Sequence, residues 1–146
     1  FRGIQVYNKE TISRGNADFP FLSIERINNR GNSTGGRLKK MIRLIKNIKV
    51  LSERKIDLSS FDINAICYDI DISKYQYLPF QKLVGVIYFQ IKSLCEDKTH
   101  ADNLVSVDGR EYIFRYNSQK LENLRIVFQE LQPIYFELAQ SVLTQC

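Results

Sequence analysis

Three basic residues, Lys39, Arg43 and Lys46, recur at steps of four and three. On a helix of 3.6 residues per turn they fall within about 60° of one another on one face. Cations aligned this way repel one another unless something negative faces them, and phosphate suits them well. The ordinary alternative is a solvated charged face. Thirteen residues after Lys46 comes Ser59-Ser60-Phe61-Asp62. It reads as a helix start, with Ser59 as the cap and an acid three residues on. The free N–H groups of such a start suit a phosphate, and an aromatic beside the hydroxyl can stack on a base. The plain reading of Phe61 is core packing beside the cap.

Other reactive residue types point to structure more than to chemistry. Asp69-Ile70-Asp71 has the spacing that, on a strand, holds two Mg²⁺ ions for phosphoryl transfer. Here it falls at the end of a predicted helix with no Gly-Ser turn upstream, so a solvated turn is expected. Cys67 falls on an apolar helical face with no base beside it and reads as core. His100 is the single histidine. It falls between a charged stretch and a predicted hairpin, is expected in a loop, and has no carboxylate that the sequence assigns to it. A lone histidine excludes a multi-His metal site and leaves a Ser-His-Asp triad no spare partner. Cys67, Cys95 and Cys146 are an odd number with no close pair. That argues against a disulfide scaffold or a Cys-rich zinc site and favours a reducing compartment, so a cytoplasmic location is expected.

The elements that must position these residues follow from periodicity. Gly3 to Tyr7 alternates like a short strand, and Lys9 to Asp18 reads as turn and loop. A helix begins at Pro20 and carries Phe21, Ile24 and Ile27 to about Asn29. Asn28 to Gly36 is a polar, Gly-rich connection. A long helix starts near Ser33 or Thr34, with Leu38, Met41, Ile42, Ile45 and Ile48 on a broad apolar face that extends to Leu44 and Leu51. The Ser59 helix buries Ile63, Ile66, Cys67 and Ile70. Another runs from about Pro79 to Cys95, with Leu83, Val84, Ile87, Tyr88, Ile91 and Leu94 inward. Leu104 to Phe114 reads as a β-hairpin turning at Asp108-Gly109. Asn117 or Ser118 caps a last helix. Its Leu121, Leu124, Phe128, Leu131, Tyr135, Leu138 and Val142 form a packing stripe that Pro133 kinks locally. The expected fold is mainly α with minor β content: one domain over 1–146, about five helices, a short N-terminal strand and one hairpin near 104–115.

A chain of 146 residues with 44% hydrophobic and 25% charged residues is long and apolar enough to bury a core. Its net charge of +5 is one local feature: Arg37 to Lys55 carries eight basic residues and one acidic, which leaves the remainder slightly acidic. The longest clean apolar run, Leu83 to Phe89, is too short to span a bilayer, so no membrane role is expected. No signal peptide is visible and the first residue is Phe, so the chain is expected to be a fragment or processed.

The run Lys39-Lys-Met-Ile-Arg-Leu-Ile-Lys46-Asn-Ile-Lys, a polar gap, then Ser59-Ser-Phe-Asp-Ile-Asn-Ala-Ile-Cys-Tyr68, resembles the C-terminal helical half of the polymerase-β-like nucleotidyltransferases. The likeness is to the cyclic-GMP-AMP synthase and oligoadenylate synthase group with its bacterial counterparts. Phe19-Pro20, the Thr-Gly-Gly-Arg approach to the Lys-rich helix and Val107-Asp-Gly-Arg-Glu-Tyr-Ile-Phe are also similar. The resemblance implies that Lys46 reaches a donor triphosphate, that Ser60 helps bind phosphate, and that Phe61 stacks on the nucleobase. The family usually has Tyr at this last position; Phe keeps the π-face and loses the hydroxyl. Lys39 and Arg43 share the stripe as candidate phosphate or nucleic-acid contacts. The family's Gly-Ser turn and its metal-binding carboxylates belong to a palm domain, expected upstream of Phe1. Mg²⁺ is therefore expected only with that palm, and the 146 residues alone are expected not to catalyse nucleotide transfer.

Three readings follow. The chain is the nucleotide-binding C-terminal half of an enzyme making a cyclic or linear nucleotide messenger in bacterial antiviral defence, with nucleoside triphosphates and the palm as partners. Alternatively, it is a non-catalytic helical module binding nucleic acid through Lys39, Arg43 and Lys46, which predicts steep salt dependence. In the third reading it is an interaction bundle using its last helix.

Overall fold

The computed structural model describes residues 18–145, with side chains for 22–139. The strand expected at 3–7, together with Phe21 and Val142, lies outside that description. Six helices run through the described residues: α1 (Asp18–Ser33), α2 (Arg37–Leu51), α3 (Ser60–Tyr68), α4 (Leu83–Glu96), α5 (Lys98–Asn103) and α6 (Ser118–Gln145). Short 3-10 turns at Ile72–Lys74 and Phe80–Lys82 lead from α3 into α4. The fold is mainly helical, as the periodicity predicts.

The core is one cluster. Leu38, Met41, Ile42, Ile45 and Ile48 from α2 meet Ile63, Ile66 and Cys67 from α3, Leu83, Ile87, Ile91 and Leu94 from α4, and Leu124, Val127 and Leu131 from α6. Each such aliphatic side chain contributes about 1.5–3 kcal/mol when fully buried. The stripe read on the last helix packs mainly on α4, where the Tyr88 and Tyr135 rings stack with centroids 4.2 Å apart. Leu138 of that stripe stays 39% exposed, so the packing runs out toward the helix end. The helix continues through Pro133.

The first connection is shorter than its composition suggests. The helix expected to end near Asn29 runs to Ser33, and α2 begins at Arg37, not at Ser33 or Thr34. Thr34 joins the two ends: its Oγ1 donates to the Arg30 carbonyl at 2.8 Å and accepts from Leu38 N at 3.3 Å. Gly36 occupies the cap position in the left-handed region at φ 83°, where a side chain would be strained. Arg30 also lies 3.7 Å over the Tyr68 ring and donates to the Tyr68 carbonyl at 2.6 Å, which docks the end of α1 on α3. Further on, the helix expected from Pro79 begins as the 3-10 turn and becomes α-helical at Leu83.

Two expectations fail between residues 97 and 115. His100 is not in a loop; it belongs to α5, which Asp97 caps by accepting from Thr99 N and His100 N. The hairpin is absent as well: 104–115 makes one isolated bridge, Val105 to Tyr112, with no paired strands. The predicted turn does form, with Gly109 at φ 75° and its N–H on the Ser106 carbonyl. Ser106 N donates to the Glu111 carbonyl at 2.8 Å and Ile113 N to the Leu104 carbonyl at 3.1 Å, but the ladder goes no further because side chains take neighbouring backbone groups. Ser106 Oγ accepts from Arg110 N and Glu111 N, and Arg26 donates to the Val107 carbonyl at 2.6 Å.

Candidate functional site: a cationic cleft between α1, α2 and α3

Helix α2 divides cleanly. Leu38, Met41, Ile42, Ile45 and Ile48 are buried, Leu44 is half-buried, and Leu51 at the helix end is exposed. Lys39 and Arg43 are exposed and Lys46 is half-buried. The three cations line a cleft of about 270 Å³ together with Ile27, Ile42 and Asn64. The structure therefore gathers Lys39, Arg43 and Lys46 at one place, and none of them has an ion-pair partner among the described residues. Lys39 lies along α1, where its Cε would be 3.1 Å from a Cβ on Gly31, so a side chain there would push that stem aside by a few tenths of an ångström.

Most other basic residues of the segment face protein groups, while Lys55 is exposed. Arg37 donates to the carbonyls of Leu78 and Thr34 and stacks over Phe80. Lys49 donates to the Leu58 carbonyl at 2.6 Å, and Arg54 pairs with Glu130 at 3.2 Å. Lys40 points toward the Phe80 ring at 5.9 Å, away from the cleft lining. The net excess read from composition thus reduces to a few cations without protein partners, and three of them share one cleft.

Ser60 and Phe61 are not in the cleft lining; they open α3 beside it. Ser59 is the cap, and a complete capping box holds it: Ser59 Oγ accepts from Asp62 N at 3.2 Å and Asp62 Oδ2 accepts from Ser59 N at 3.0 Å. The N–H groups of Ser60 and Phe61 have no protein acceptor among the described residues. Ser60 is exposed, and Phe61 is half-buried with part of its ring packed on the core. Asn64, one turn after Ser60, is the cleft residue that sequence reasoning missed. Its signal was the four-residue step from Ser60, which places both on one side of α3.

The remaining candidates divide differently. Asp69 and Asp71 do not converge. Asp69 accepts from Gln90 Nε2 at 2.9 Å and lies 2.7 Å from His100 Nε2. Asp71 caps the next turn, where hydrogen bonds from Ser73 N and Oγ hold its carboxyl below the usual carboxylate range. His100 Nδ1 is 2.8 Å from Ser93 Oγ, so Ser93, His100, Asp69 and Gln90 form one continuous chain. Sequence alone gave His100 no carboxylate partner because α5 was not foreseen. Cys67 is fully buried, which pushes its thiol up; Cys95 is pushed up to about 11 by burial. Neither supplies a thiolate near neutral pH. Among the described residues no group of three His, Cys, Asp or Glu side chains is placed to hold a metal ion.

Comparison with known proteins places the fold in a family. Residues 25–135 match the model of the cGAS/DncV-like nucleotidyltransferase C-terminal helical domain. The chain belongs to this family. The CD-NTase helical domain is 52% identical over 139 residues to a c-di-GMP synthase of Capnocytophaga granulosa, covering 94% of this chain and 40% of that protein. It is 45% identical over 141 residues to a c-di-GMP synthase of Flavobacteriaceae sp., covering 94% and 39%. The fold superposes on the solved structure of the STING-associated CdnE c-di-GMP synthase from Capnocytophaga granulosa with a TM-score of 0.83, at 41% identity, covering 96% of this chain and 52% of that one. The chain thus spans about two-fifths of the length of the curated relatives it matches. No described helix of this CD-NTase domain is long and apolar enough to cross a membrane.

Proposed function

We propose that this chain is the nucleotide-binding helical half of a nucleotidyltransferase that makes a cyclic dinucleotide messenger in bacterial antiviral defence. Guanine nucleotides are the substrate class, by likeness to the relatives named c-di-GMP synthases. The observation that carries the reading is the cleft in which Lys39, Arg43 and Lys46 stand without ion-pair partners, beside a helix start with two open N–H groups. Such a wall suits a triphosphate: point charges neutralise the oxygens, and the N-terminal N–H groups add directed donors.

In this reading Lys46 and Ser60 hold phosphate, Phe61 stacks on the base, and Lys39 and Arg43 steer the polyanion into place. A palm domain in the longer protein supplies carboxylates for Mg²⁺, which neutralises developing charge in phosphoryl transfer. The helical half positions and the palm reacts, so the 146 residues by themselves form no product. A cytoplasmic location fits a nucleoside triphosphate substrate.

The test is Lys46→Glu in the enzyme together with its palm. GTP affinity should fall by about a hundredfold, a loss of about 2.7 kcal/mol, with the melting temperature unchanged. Unchanged GTP affinity would sink the assignment. Tight binding of mixed-sequence DNA or RNA with a steep salt slope, uncompeted by GTP, would favour the nucleic-acid module instead.

A further inference from the structure

Between α2 and α3 the chain runs through residues 52–59 without a helix, and this segment sets where Ser60 and Phe61 stand relative to Lys46. Ile56 and Leu58 anchor it to the core. The Leu58 carbonyl accepts from Lys49 of α2 at 2.6 Å, and the other long-range polar ties of the segment lead to α6. Ser52 Oγ donates to Glu130 Oε2 at 2.8 Å, and Arg54 donates to Gln129 at 2.6 Å and to Glu130 at 3.2 Å. Asp57 N donates to Asn123 Oδ1 at 2.8 Å. At the start of α3, Lys120 Nζ donates to Asp62 Oδ1 at 2.8 Å. Lys120, Asn123 and Glu130 are spaced three and seven apart, so they form one polar stripe along α6.

We propose that Lys120, with Asn123 and Glu130 along the same stripe, is a positioning residue for the nucleotide site. Helix α6 acts as a ruler that fixes the start of α3 against α2. The inference rests on the reading of Lys46, Ser60 and Phe61 as nucleotide contacts.

The pair differs in kind from the surface ion pairs of the molecule. Lys92 and Glu96 are 40% and 60% exposed in their side chains, and such pairs contribute little. Asp62 is 2% exposed and Lys120 29%. Asp62 uses one oxygen for Lys120 and the other for the Ser59 N–H. Removing the cation leaves a buried carboxylate oxygen without its donor, and the group has to swing toward water. That movement breaks the capping box, and the first turn of α3 shifts with Ser60 and Phe61 on it.

The experiment uses the enzyme with its palm and measures KM for GTP and kcat well below every variant's melting temperature. Lys120→Met should raise KM about tenfold with kcat changed less than about threefold, the signature of a displaced binding contact. Lys120→Arg should bring KM back to within about twofold, because the guanidinium can still reach the carboxylate. Lys92→Met, which breaks an exposed pair, should change neither constant. If Lys120→Met does not fold, Asn123→Ala carries the test, with an expected rise of about threefold in KM. A lowered melting temperature with unmoved KM in the folded protein would make the pair merely structural and overturn the proposal. Lys46→Glu separates the two ideas. If it weakens GTP while the α6 variants leave KM unmoved, the ruler fails alone; if it has no effect, the nucleotide reading fails and the ruler with it.

Discussion

Two clusters of polar side chains flank α3, and they are built on opposite plans. At its start, Lys39, Arg43, Lys46 and Asn64 converge on a cleft without ion pairs among the described residues, and two backbone N–H groups beside it lack protein acceptors. At its end, Ser93, His100, Asp69 and Gln90 satisfy one another in a chain of contacts between 2.7 and 2.9 Å. The second cluster has the residue types of a hydrolytic triad, yet Asp69 and Gln90 tie α3 to α4 and His100 ties α5 to both. Polar groups that already face protein partners stabilise the fold. Groups assembled against mutual repulsion, with no partner, are the ones available to a ligand. Spacing already favours the basic stripe over the histidine, and the hydrogen bonds around His100 supply the physical reason.

The contrast can be broken or sharpened by substitution. The largest effect after the loss of Lys46 is expected at the ligand end. Phe61→Ala should weaken GTP binding by about 1–3 kcal/mol, the range for a lost base stack, while Phe61→Tyr should preserve it. Isothermal titration calorimetry on the enzyme with its palm reads both. An intermediate effect is expected at the structural end. Asp69→Ala should destabilise the fold by about 1–2 kcal/mol, because Gln90 and His100 each lose an acceptor, and should leave GTP affinity unchanged. Denaturant unfolding and calorimetry on the same variant would erase the distinction if affinity fell while stability held. The smallest effect concerns pH. Hydrogen bonds from Ser73 lower the Asp71 pKa in the folded state, so this carboxylate stabilises the fold above its unfolded pKa. That contribution fades as pH drops through the folded value. Ser73→Ala should flatten the acid limb of the stability curve slightly and leave stability at pH 7 and above nearly parallel to the parent. An unchanged acid limb would remove Asp71 from the account.

Periodicity was strong evidence wherever burial repeats along one helix. The five buried positions of α2, the Ser59 cap and its acid, and the buried stripe through Leu124 and Leu131 were legible because each depends on neighbours within one or two turns; Leu51, read onto the same face, is exposed where α2 ends. The gathering of Lys39, Arg43 and Lys46 was legible for the same reason. Boundaries were weaker. Asn28 to Gly36 has loop composition, but Arg30 stacking on Tyr68 extends α1 through most of it. Residues 104–115 alternate like strands, yet pairing stops at one bridge, with Ser106 Oγ and Arg26 bonded to backbone groups beside it. Helix α5 is six residues long and owes its start to Asp97, too short a signal for periodicity to report.

The sequence by itself determined a helical domain, its apolar faces, the basic stripe and the capped serine turn, and through them the resemblance to the nucleotidyltransferases. These are local properties, set by spacing on a single helix. Tertiary structure decided which cations remain unpaired, added Asn64 to the cleft, closed His100 onto Asp69, and tied the start of α3 to Lys120 across 58 residues of chain. Those outcomes depend on which groups from distant segments meet and satisfy one another, and pairing of that kind has no periodic trace in the sequence.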